Sequence, residues 1–146
     1  LNRLWETDPD RCCEIRKVIP LRAELSRFDA WVTAIRRDQT RDRAQARAVE
    51  WDGKFGLVKV NPLVRWTAAD VDDYLARHDV PVNPLHARGY PSIGCQPCTT
   101  AVALGEDPRA GRWRGREKKE CGLHSRHPWA SAPVPATTST PSIPKE

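Results

Sequence analysis

The chain has 146 residues, about the size of one domain, with 24 Lys and Arg against 19 Asp and Glu. Its net charge of +5 fits nucleic acid, an anionic surface or a small phosphorylated substrate equally well. No apolar run approaches the roughly 20 residues of a membrane-spanning helix, so a soluble protein without membrane association is predicted. Because the chain begins with Leu and contains no Met, we expect it to be the C-terminal part of a longer protein.

The first predicted element is a short helix in "TDPDRCCEIRKVIP". Asp8 is a good N-cap, Pro9 suits the first helical position, and Pro20 predicts the end of the helix. This places Cys12 and Cys13 in the opening turns.

Three further elements follow in chain order. "DAWVTAI", residues 29–35, is rich in β-branched and aromatic residues and predicts a buried strand. Residues 48–63 predict two short strands around the turn at Asp52-Gly53. Residues 67–80 predict a helix with Thr67 and Asp70 as a capping box and Val71, Tyr74 and Leu75 on one face.

The remainder of the chain is predicted to contain little regular structure. From residue 81 onward Pro and Gly recur in a loop that ends at a cysteine pair. The final stretch is rich in Pro, Ser and Thr and has few large apolar residues, so residues 128–146 are predicted to be a disordered tail.

The five cysteines fall in three places: Cys12-Cys13, the Cys95-x-x-Cys98 pair, and Cys121 alone. The two pairs together supply thiolates for an iron-sulfur cluster or for zinc. Ligands of one zinc ion are usually separated by two to four residues, whereas adjacent cysteines are more easily used by separate irons. The spacing therefore favours an iron-sulfur cluster, with zinc, disulfides and plain burial as alternatives.

The lone cysteine lies in the most basic part of the chain. Between residues 107 and 126 seven cations stand against three anions: Arg109, Arg112, Arg114, Arg116, Lys118, Lys119 and Arg126 against Asp107, Glu117 and Glu120. Positive charge favours the thiolate, so Lys118, Lys119 and His124 are expected to lower the pKa of Cys121. The alternative is that this stretch is only a solvated basic tail. That alternative does not explain why a glycine, Gly122, follows the cysteine, where it would allow a ligand to approach the backbone closely.

Five blocks, "CCEIRK", "WVTAIRRDQT", "PSIGCQPCT", "RAGRWRG" and "KKECGLH", together resemble the C-terminal half of assimilatory adenylylsulfate reductases, in the sulfonucleotide reductase family. The resemblance covers residues 8–124. It implies an α/β fold: the C-terminal part of an adenine-nucleotide-hydrolase-like parallel-sheet domain, with a cluster-binding loop and a mobile C-terminal segment. The domain is expected to occupy residues 1–127.

The same resemblance implies a reaction in assimilatory sulfate reduction. A cysteine thiolate attacks the sulfur of adenosine 5'-phosphosulfate, AMP leaves, and thioredoxin or glutaredoxin releases sulfite from the S-sulfocysteine. The resemblance makes Cys121 the nucleophile and assigns Cys12, Cys13, Cys95 and Cys98 to a 4Fe-4S cluster. It assigns substrate binding to Lys17, Arg36 or Arg37, Arg109, Arg112 and His124, while Arg114 and Arg116 are expected to be solvent-exposed.

Some expectations depend on what the chain lacks. The family's phosphate-binding Ser-Gly-Gly-x-Asp turn does not occur here, so the adenosine pocket and the parallel sheet are expected to be incomplete. The resemblance further implies a cytoplasmic enzyme that does not bind nucleic acid, and it is compatible with a homo-oligomer. The alternatives are a 3'-phosphoadenylylsulfate reductase, which generally lacks the cysteine pairs, and a zinc-bearing nucleic-acid-binding module, which leaves Cys121 unexplained.

Overall fold

The computed structural model describes residues 3–124. Helices α1 (Leu4–Thr7) and α2 (Pro9–Cys13) lead through a π-helical turn (Glu14–Val18) into α3 (Ile19–Leu25). Strands β1 (Ala30–Val32), β2 (Val49–Asp52) and β3 (Leu57–Val60) follow, and then helix α4 (Ala68–Arg77). Short 3-10 turns lie at Arg37–Gln39, Arg41–Arg43, His86–Arg88 and Gln96–Cys98. The predicted tail, residues 128–146, lies outside the described residues.

The first predicted helix begins where expected but continues past its predicted end. The Asp8 carboxylate accepts a hydrogen bond from the Arg11 N–H at 2.9 Å, and Pro9 opens the helix. The prediction that Pro20 ends the helix is wrong, because the π-helical turn intervenes: the Ile19 N–H donates to the Glu14 carbonyl, five residues back. Pro20 therefore lies within the first two positions of α3, where a helix tolerates the missing N–H of proline best.

The predicted buried strand at residues 29–35 is shorter and more exposed than expected. β1 covers only Ala30–Val32, and Val32 is 69% exposed. In the described part of the chain β1 is an edge strand, because the sheet order is β1-β3-β2. After Thr33 the chain leaves the sheet, and Ile35 packs into a buried cluster with Ala46 and Val64.

The sheet is mixed, so the predicted parallel arrangement holds for one strand pair. β1 pairs with β3 in parallel, and β2 pairs with β3 as the antiparallel hairpin predicted around Asp52-Gly53. The register places six apolar side chains on one face, much of it exposed: Ala30, Val32, Val49, Trp51, Val58 and Val60. The other face carries Trp31 and Lys59 and is turned toward the C-terminal end of the described chain.

The second predicted helix is confirmed with its capping box. In α4 the Thr67 hydroxyl accepts from the Asp70 N–H at 3.2 Å, and the Asp70 carboxylate accepts from the Thr67 N–H at 2.7 Å. None of the described helices is long and apolar enough to cross a bilayer. Beyond Cys98 the described chain has no helix or strand, only an isolated bridge between Thr99 and Arg112.

Candidate active site

Cys121 is buried against the helix that carries the cysteine pair. It forms a small core cluster with Cys13 and Trp113, on which Cys98 and Leu123 pack. The Cys13 thiol donates a hydrogen bond to the Cys121 sulfur, and this bond, aided by the Leu123 N–H and by Lys17 and Lys118, lowers the pKa of Cys121 to about 5 in spite of burial. The same contact raises the pKa of Cys13. The arrangement therefore favours a thiolate on Cys121 and a thiol on Cys13.

Lys17 lies among the sulfurs. It is part of the π-helical turn that follows the cysteine pair, and its ammonium group contacts the Cys95 sulfur. Burial opposes its charge, but the sulfurs of Cys121, Cys95 and Cys13 outweigh burial and raise the pKa of Lys17. The structure thus places a cation beside one sulfur of each cysteine pair and beside the sulfur of the predicted nucleophile.

The four predicted cluster ligands approach one another as free thiols. The cysteines form no disulfide. Burial raises the pKa of Cys98, and the charges of Cys95 and Cys12 raise it further, which places these sulfurs within electrostatic reach of one another. Across residues 3–124, however, no group of three or more His, Cys, Asp or Glu side chains has a geometry that would hold a metal ion.

The Cys95–Cys98 turn is held by short local hydrogen bonds. The Cys98 N–H donates to the Cys95 carbonyl at 2.9 Å, and the Thr99 hydroxyl donates to the same carbonyl at 2.9 Å. The Thr99 hydroxyl also accepts from the Gly94 N–H at 3.1 Å. The donor set, four thiols from a helix and a tight turn, fits an iron-sulfur cluster in its chemistry, because thiolates are the usual ligands of such clusters.

The predicted substrate arginines occupy different surroundings. Arg109 is partly buried beside the residue that precedes Cys121: its Nη2 lies 3.4 Å from the Glu120 carboxylate and donates to the Lys119 carbonyl at 3.2 Å. Arg112 is 8% exposed and stacks over Trp113 at 4.5 Å. Its Nη1 points to the Ser92 hydroxyl and the Ile93 carbonyl. In this structure Arg112 therefore supports the start of the cysteine turn.

The guanidinium groups of Arg36 and Arg37 bind acceptors that lie within ten positions of them in the sequence. Arg36 donates from Nε to the Asp38 carboxylate at 2.9 Å, and Arg37 donates from Nε to the Ala46 carbonyl at 2.9 Å. Because Arg36 is paired with a carboxylate that an incoming anion could displace, it is the better candidate of the two for substrate binding.

His124 is held as a neutral ring. It stacks on Trp31, with centroids 5.8 Å apart and ring planes 8° from parallel. Burial, and then the charges of Arg43 and Lys59, lower the pKa of His124 to about 4. The expectation that His124 contributes positive charge to Cys121 is therefore wrong near neutral pH. The Lys119 ammonium group donates to the Arg116 carbonyl at 3.3 Å, and its expected effect on Cys121 stays a prediction.

The basic segment around Cys121 is anchored by contacts that sequence reasoning missed. Lys118 forms an ion pair with Asp10, and Arg116 donates to the Glu6 carbonyl at 2.8 Å. Both contacts join residues more than a hundred positions apart. The expected exposure of Arg116 is thus only partial, whereas Arg114 is 42% exposed and paired with Glu106 at 3.0 Å.

Arg43 and Glu120 form a buried ion pair beside Cys121, and neither was predicted as a site residue. Arg43 donates from Nε and Nη2 to the two Glu120 oxygens, both at 2.8 Å. The partners are 77 positions apart, so no local sequence signal could have identified the pair.

Comparison with known proteins shows the family to which the chain belongs. Residues 1–101 match the phosphoadenosine phosphosulfate reductase domain. A protein named phosphoadenosine 5'-phosphosulfate reductase from Gloeobacter violaceus is 52% identical over 126 residues, which is 85% of this chain and 52% of that protein. Proteins named adenosine 5'-phosphosulfate reductase are 51% identical in Mycolicibacterium smegmatis (84% of this chain, 52% of that protein) and 50% identical in Bacillus subtilis (84% and 53%).

A solved structure agrees with the fold. The crystal structure of phosphoadenylyl-sulfate reductase from Candida auris, a phosphate complex, superposes with a TM-score of 0.57 at 29% identity. The match covers 69% of this chain and 47% of that one. The chain spans about half the length of the curated relatives it matches.

Proposed function

Because this chain belongs to the phosphoadenosine phosphosulfate reductase family, we propose that the protein it forms part of reduces adenosine 5'-phosphosulfate to sulfite and AMP, with Cys121 as the nucleophile. The observation that carries the proposal is the position of Cys121. Its sulfur packs against Cys13 and Trp113 and lies near the ammonium groups of Lys17 and Lys118, whose positive charge favours its nucleophilic, ionised form.

Cations near Cys121 would bind the anionic substrate. Lys17 is a compact charge beside the sulfur, and the Arg109 guanidinium offers forked donors of the kind that suit sulfate and phosphate oxygens. Arg36 and Arg112 are further candidates from the resemblance. Neutral His124 would serve as a hydrogen-bonding or packing group rather than as a charge.

The first step transfers the sulfonate group to the enzyme. The Cys121 thiolate attacks the sulfur of the phosphosulfate, a bond forms between the two sulfurs, and the bond from sulfur to the bridging oxygen breaks. AMP leaves with that oxygen and its electron pair. Lys17 and Arg109 would stabilise the negative charge that develops on the leaving phosphate.

The second step consumes a dithiol reductant of the thioredoxin or glutaredoxin class. One reductant thiolate attacks the Cys121 sulfur, forms a mixed disulfide and expels sulfite. The second reductant thiol then attacks the mixed disulfide, which restores the Cys121 thiolate and leaves the reductant oxidised. Two electrons pass from the dithiol to sulfur, so the enzyme needs no second cysteine of its own for this step.

Cys12, Cys13, Cys95 and Cys98 are the residues that would hold a 4Fe-4S cluster. When bound, the cluster would add charge close to Lys17 and so help to orient and polarise the substrate sulfate. The cytoplasmic location and the homo-oligomer implied by the resemblance stay predictions.

The name of one relative supports a different substrate, the 3'-phosphorylated nucleotide. The Gloeobacter violaceus relative is named for 3'-phosphorylated adenosine phosphosulfate, whereas the Mycolicibacterium smegmatis and Bacillus subtilis relatives are named for the unphosphorylated nucleotide. The two cysteine pairs lead us to propose the unphosphorylated substrate. Steady-state turnover of both nucleotides by the full-length protein tests this choice, and a higher kcat/KM for the 3'-phosphorylated nucleotide would reverse it.

The proposed reaction is tested by adding substrate to the full-length protein without reductant and then measuring the masses of the intact protein and of its proteolytic peptides. We expect a sulfonate adduct on the peptide that contains Cys121, and none in Cys121→Ser. Arg114→Gln, which alters an exposed cation of the same basic stretch, is the matched control and should form the adduct as wild type does. An adduct on another cysteine, or sulfite formation by Cys121→Ser, would overturn the proposal.

A further inference from the structure

The backbone on either side of Cys121 has no helix or strand to hold it. From residue 114 to residue 124 the described chain consists of turns and bends. Cys121 is nevertheless 8% exposed, so something other than secondary-structure hydrogen bonding keeps its segment against the core.

Glu120 supplies the most extensive of these contacts. Its carboxylate accepts two bonds from Arg43 at 2.8 Å, one from Arg109 at 3.4 Å and one from the Thr40 hydroxyl at 3.4 Å. The same carboxylate accepts the Cys121 N–H at 3.0 Å. A single buried carboxylate therefore connects the nucleophile's own backbone to the turn at Arg41–Arg43.

The Arg43–Glu120 pair is buried on both sides. The exposed fractions of the side chains are 10% and 5%, in contrast to the exposed Arg114–Glu106 pair. A bidentate arginine–carboxylate pair fixes both distance and orientation, whereas a lysine would fix only distance. Such geometry suits a contact that determines where a neighbouring group lies.

Glu120 also contacts Arg109, which is predicted to bind the substrate. Arg109 contacts the Glu120 carboxylate at the longer distance of 3.4 Å, so it is the more weakly held of the two arginines. An incoming sulfonucleotide offers the same kind of oxygen atoms as a carboxylate. Substrate binding at Arg109 would therefore compete with Glu120, while Arg43 would keep the segment attached.

We infer that Glu120 is a positioning residue for the nucleophile: through Arg43 it holds Cys121 in place, and it yields Arg109 to the substrate. Glu120, Arg43 and Arg109 together form what we call the Glu120 clamp. The inference rests on the proposed function in its second half, since Arg109 is a substrate residue only there.

The first test measures the position of Cys121 without reference to activity. In substrate-free, full-length protein, alkylation by iodoacetamide is followed at each cysteine by peptide mass spectrometry. Glu120→Gln and Arg43→Gln should raise the alkylation rate of Cys121 about 10-fold or more, while Cys12, which is not part of the cluster around Cys121, keeps its wild-type rate. Glu106→Gln, which breaks the exposed Arg114 pair, should leave all rates unchanged. An equal increase at every cysteine would indicate general loss of structure and overturn the inference, as would an unchanged rate at Cys121.

The second test separates binding from chemistry. In Glu120→Gln, kcat should fall by about 10- to 100-fold because Cys121 is less well placed, while KM for the sulfonucleotide stays the same or falls because Arg109 is released. A purely structural role would instead lower kcat and raise KM together. Unchanged kcat would also contradict the inference.

A double variant removes the stability effect. Arg43→Gln combined with Glu120→Gln leaves neither member of the bidentate pair as an unpaired buried charge, although Arg109 still loses its weaker carboxylate contact, so the unfolding midpoint should recover part of the way toward that of wild type. Its kcat should stay low, because the clamp is absent; recovery of kcat together with stability would show that the pair only stabilises the fold. If wild-type protein makes no sulfite, the proposed function fails, and the alkylation result still decides whether Glu120 and Arg43 hold Cys121.

Discussion

Two cysteine-bearing regions meet at this site, and they are held by different interactions. Cys12, Cys13 and Lys17 belong to one helical run from Pro9 to Leu25, in which main-chain hydrogen bonds set the spacing between side chains. Cys121 belongs to a segment without helix or strand, and side-chain contacts from Glu120, Lys118 and Arg116 attach that segment to distant residues.

The segment that carries Cys121 is attached only by side-chain contacts in the described structure, which affects how Cys121 could move during the proposed reaction. Breaking side-chain contacts requires no unfolding of the helix, so we expect Cys121, the proposed nucleophile, to be able to leave the core while the other thiols remain in place. The proposed reaction needs this, because Cys121 must meet first a nucleotide and later a protein reductant, whereas the four other cysteines must stay together.

The largest expected effect distinguishes the cysteines by role. Cys12→Ser or Cys95→Ser in anaerobically purified, full-length protein should lose most of the bound iron, about four atoms per chain in wild type, together with the visible absorption band. Cys121→Ser should keep both, because its sulfur is not a proposed ligand. Iron content and absorption spectra check this, and equal iron loss in all three variants would remove the distinction between the two regions.

The next effect concerns the cation of the helical region. Lys17→Gln should lower kcat by about 100-fold, because the charge nearest the Cys121 sulfur and the substrate sulfate is lost. Arg16→Gln is the matched control: Arg16 lies in the same π-helical turn but is exposed, and its variant should turn over as wild type does. Iron content should be unchanged in both. A normal kcat in Lys17→Gln would show that the helix supplies sulfur ligands but no catalytic charge.

A smaller effect concerns acid stability of the Cys121 region. The pKa of His124 is lowered to about 4 in the folded protein from an ordinary value near 6.5. As pH falls from about 6.5 to 4, the unfolded chain therefore binds the proton first, and stability is lost over that interval. The loss should be on the order of 3 kcal/mol, because each unit of difference between the two pKa values corresponds to about 1.4 kcal/mol.

The test of this pH dependence is the difference between two proteins. Wild type is compared with His124→Phe, which keeps an aromatic ring against Trp31 but cannot titrate. The free energy of unfolding of the variant should decline less between pH 6.5 and 4, while effects common to both proteins cancel. Identical slopes would mean that His124 is not buried as a neutral ring.

The smallest effect concerns the helix N-cap. Asp8→Ala should cost about 1 kcal/mol of stability, because the Arg11 N–H loses its acceptor. Hydrogen exchange should speed up within α2 and stay at its wild-type rate across residues 116–124. Asp70→Ala at the cap of α4 is a control with a similar stability loss and no change in exchange at α2. Faster exchange in both cysteine-bearing regions would indicate that they unfold as one unit.

Elements with local signals were predicted well. Asp8 and Pro9 begin a helix, Asp52-Gly53 joins two strands, and Thr67 with Asp70 caps α4. Each of these signals acts over a few residues, through a side chain that binds a nearby N–H or a turn that few residue types adopt.

Predictions that depended on surroundings were less accurate. Pro20 does not end its helix, because a π-helical turn precedes it. Of residues 29–35, only Ala30–Val32 form a strand, and this strand lies at the edge of the described sheet. His124 carries no charge near neutral pH, because burial against Trp31 and the nearby positive charges of Arg43 and Lys59 both disfavour its protonated form. None of these outcomes depends on sequence neighbours alone.

The chain alone reveals which side chains carry the chemistry and where most helices and turns begin, since residue type and short-range bonding are properties of adjacent positions. Folding alone reveals that Cys121 lies on Cys13, that Lys17 stands between the thiols, and that Glu120 binds Arg43. These contacts join positions tens of residues apart, and their strength comes from burial and charge pairing, which exist only once the core has formed.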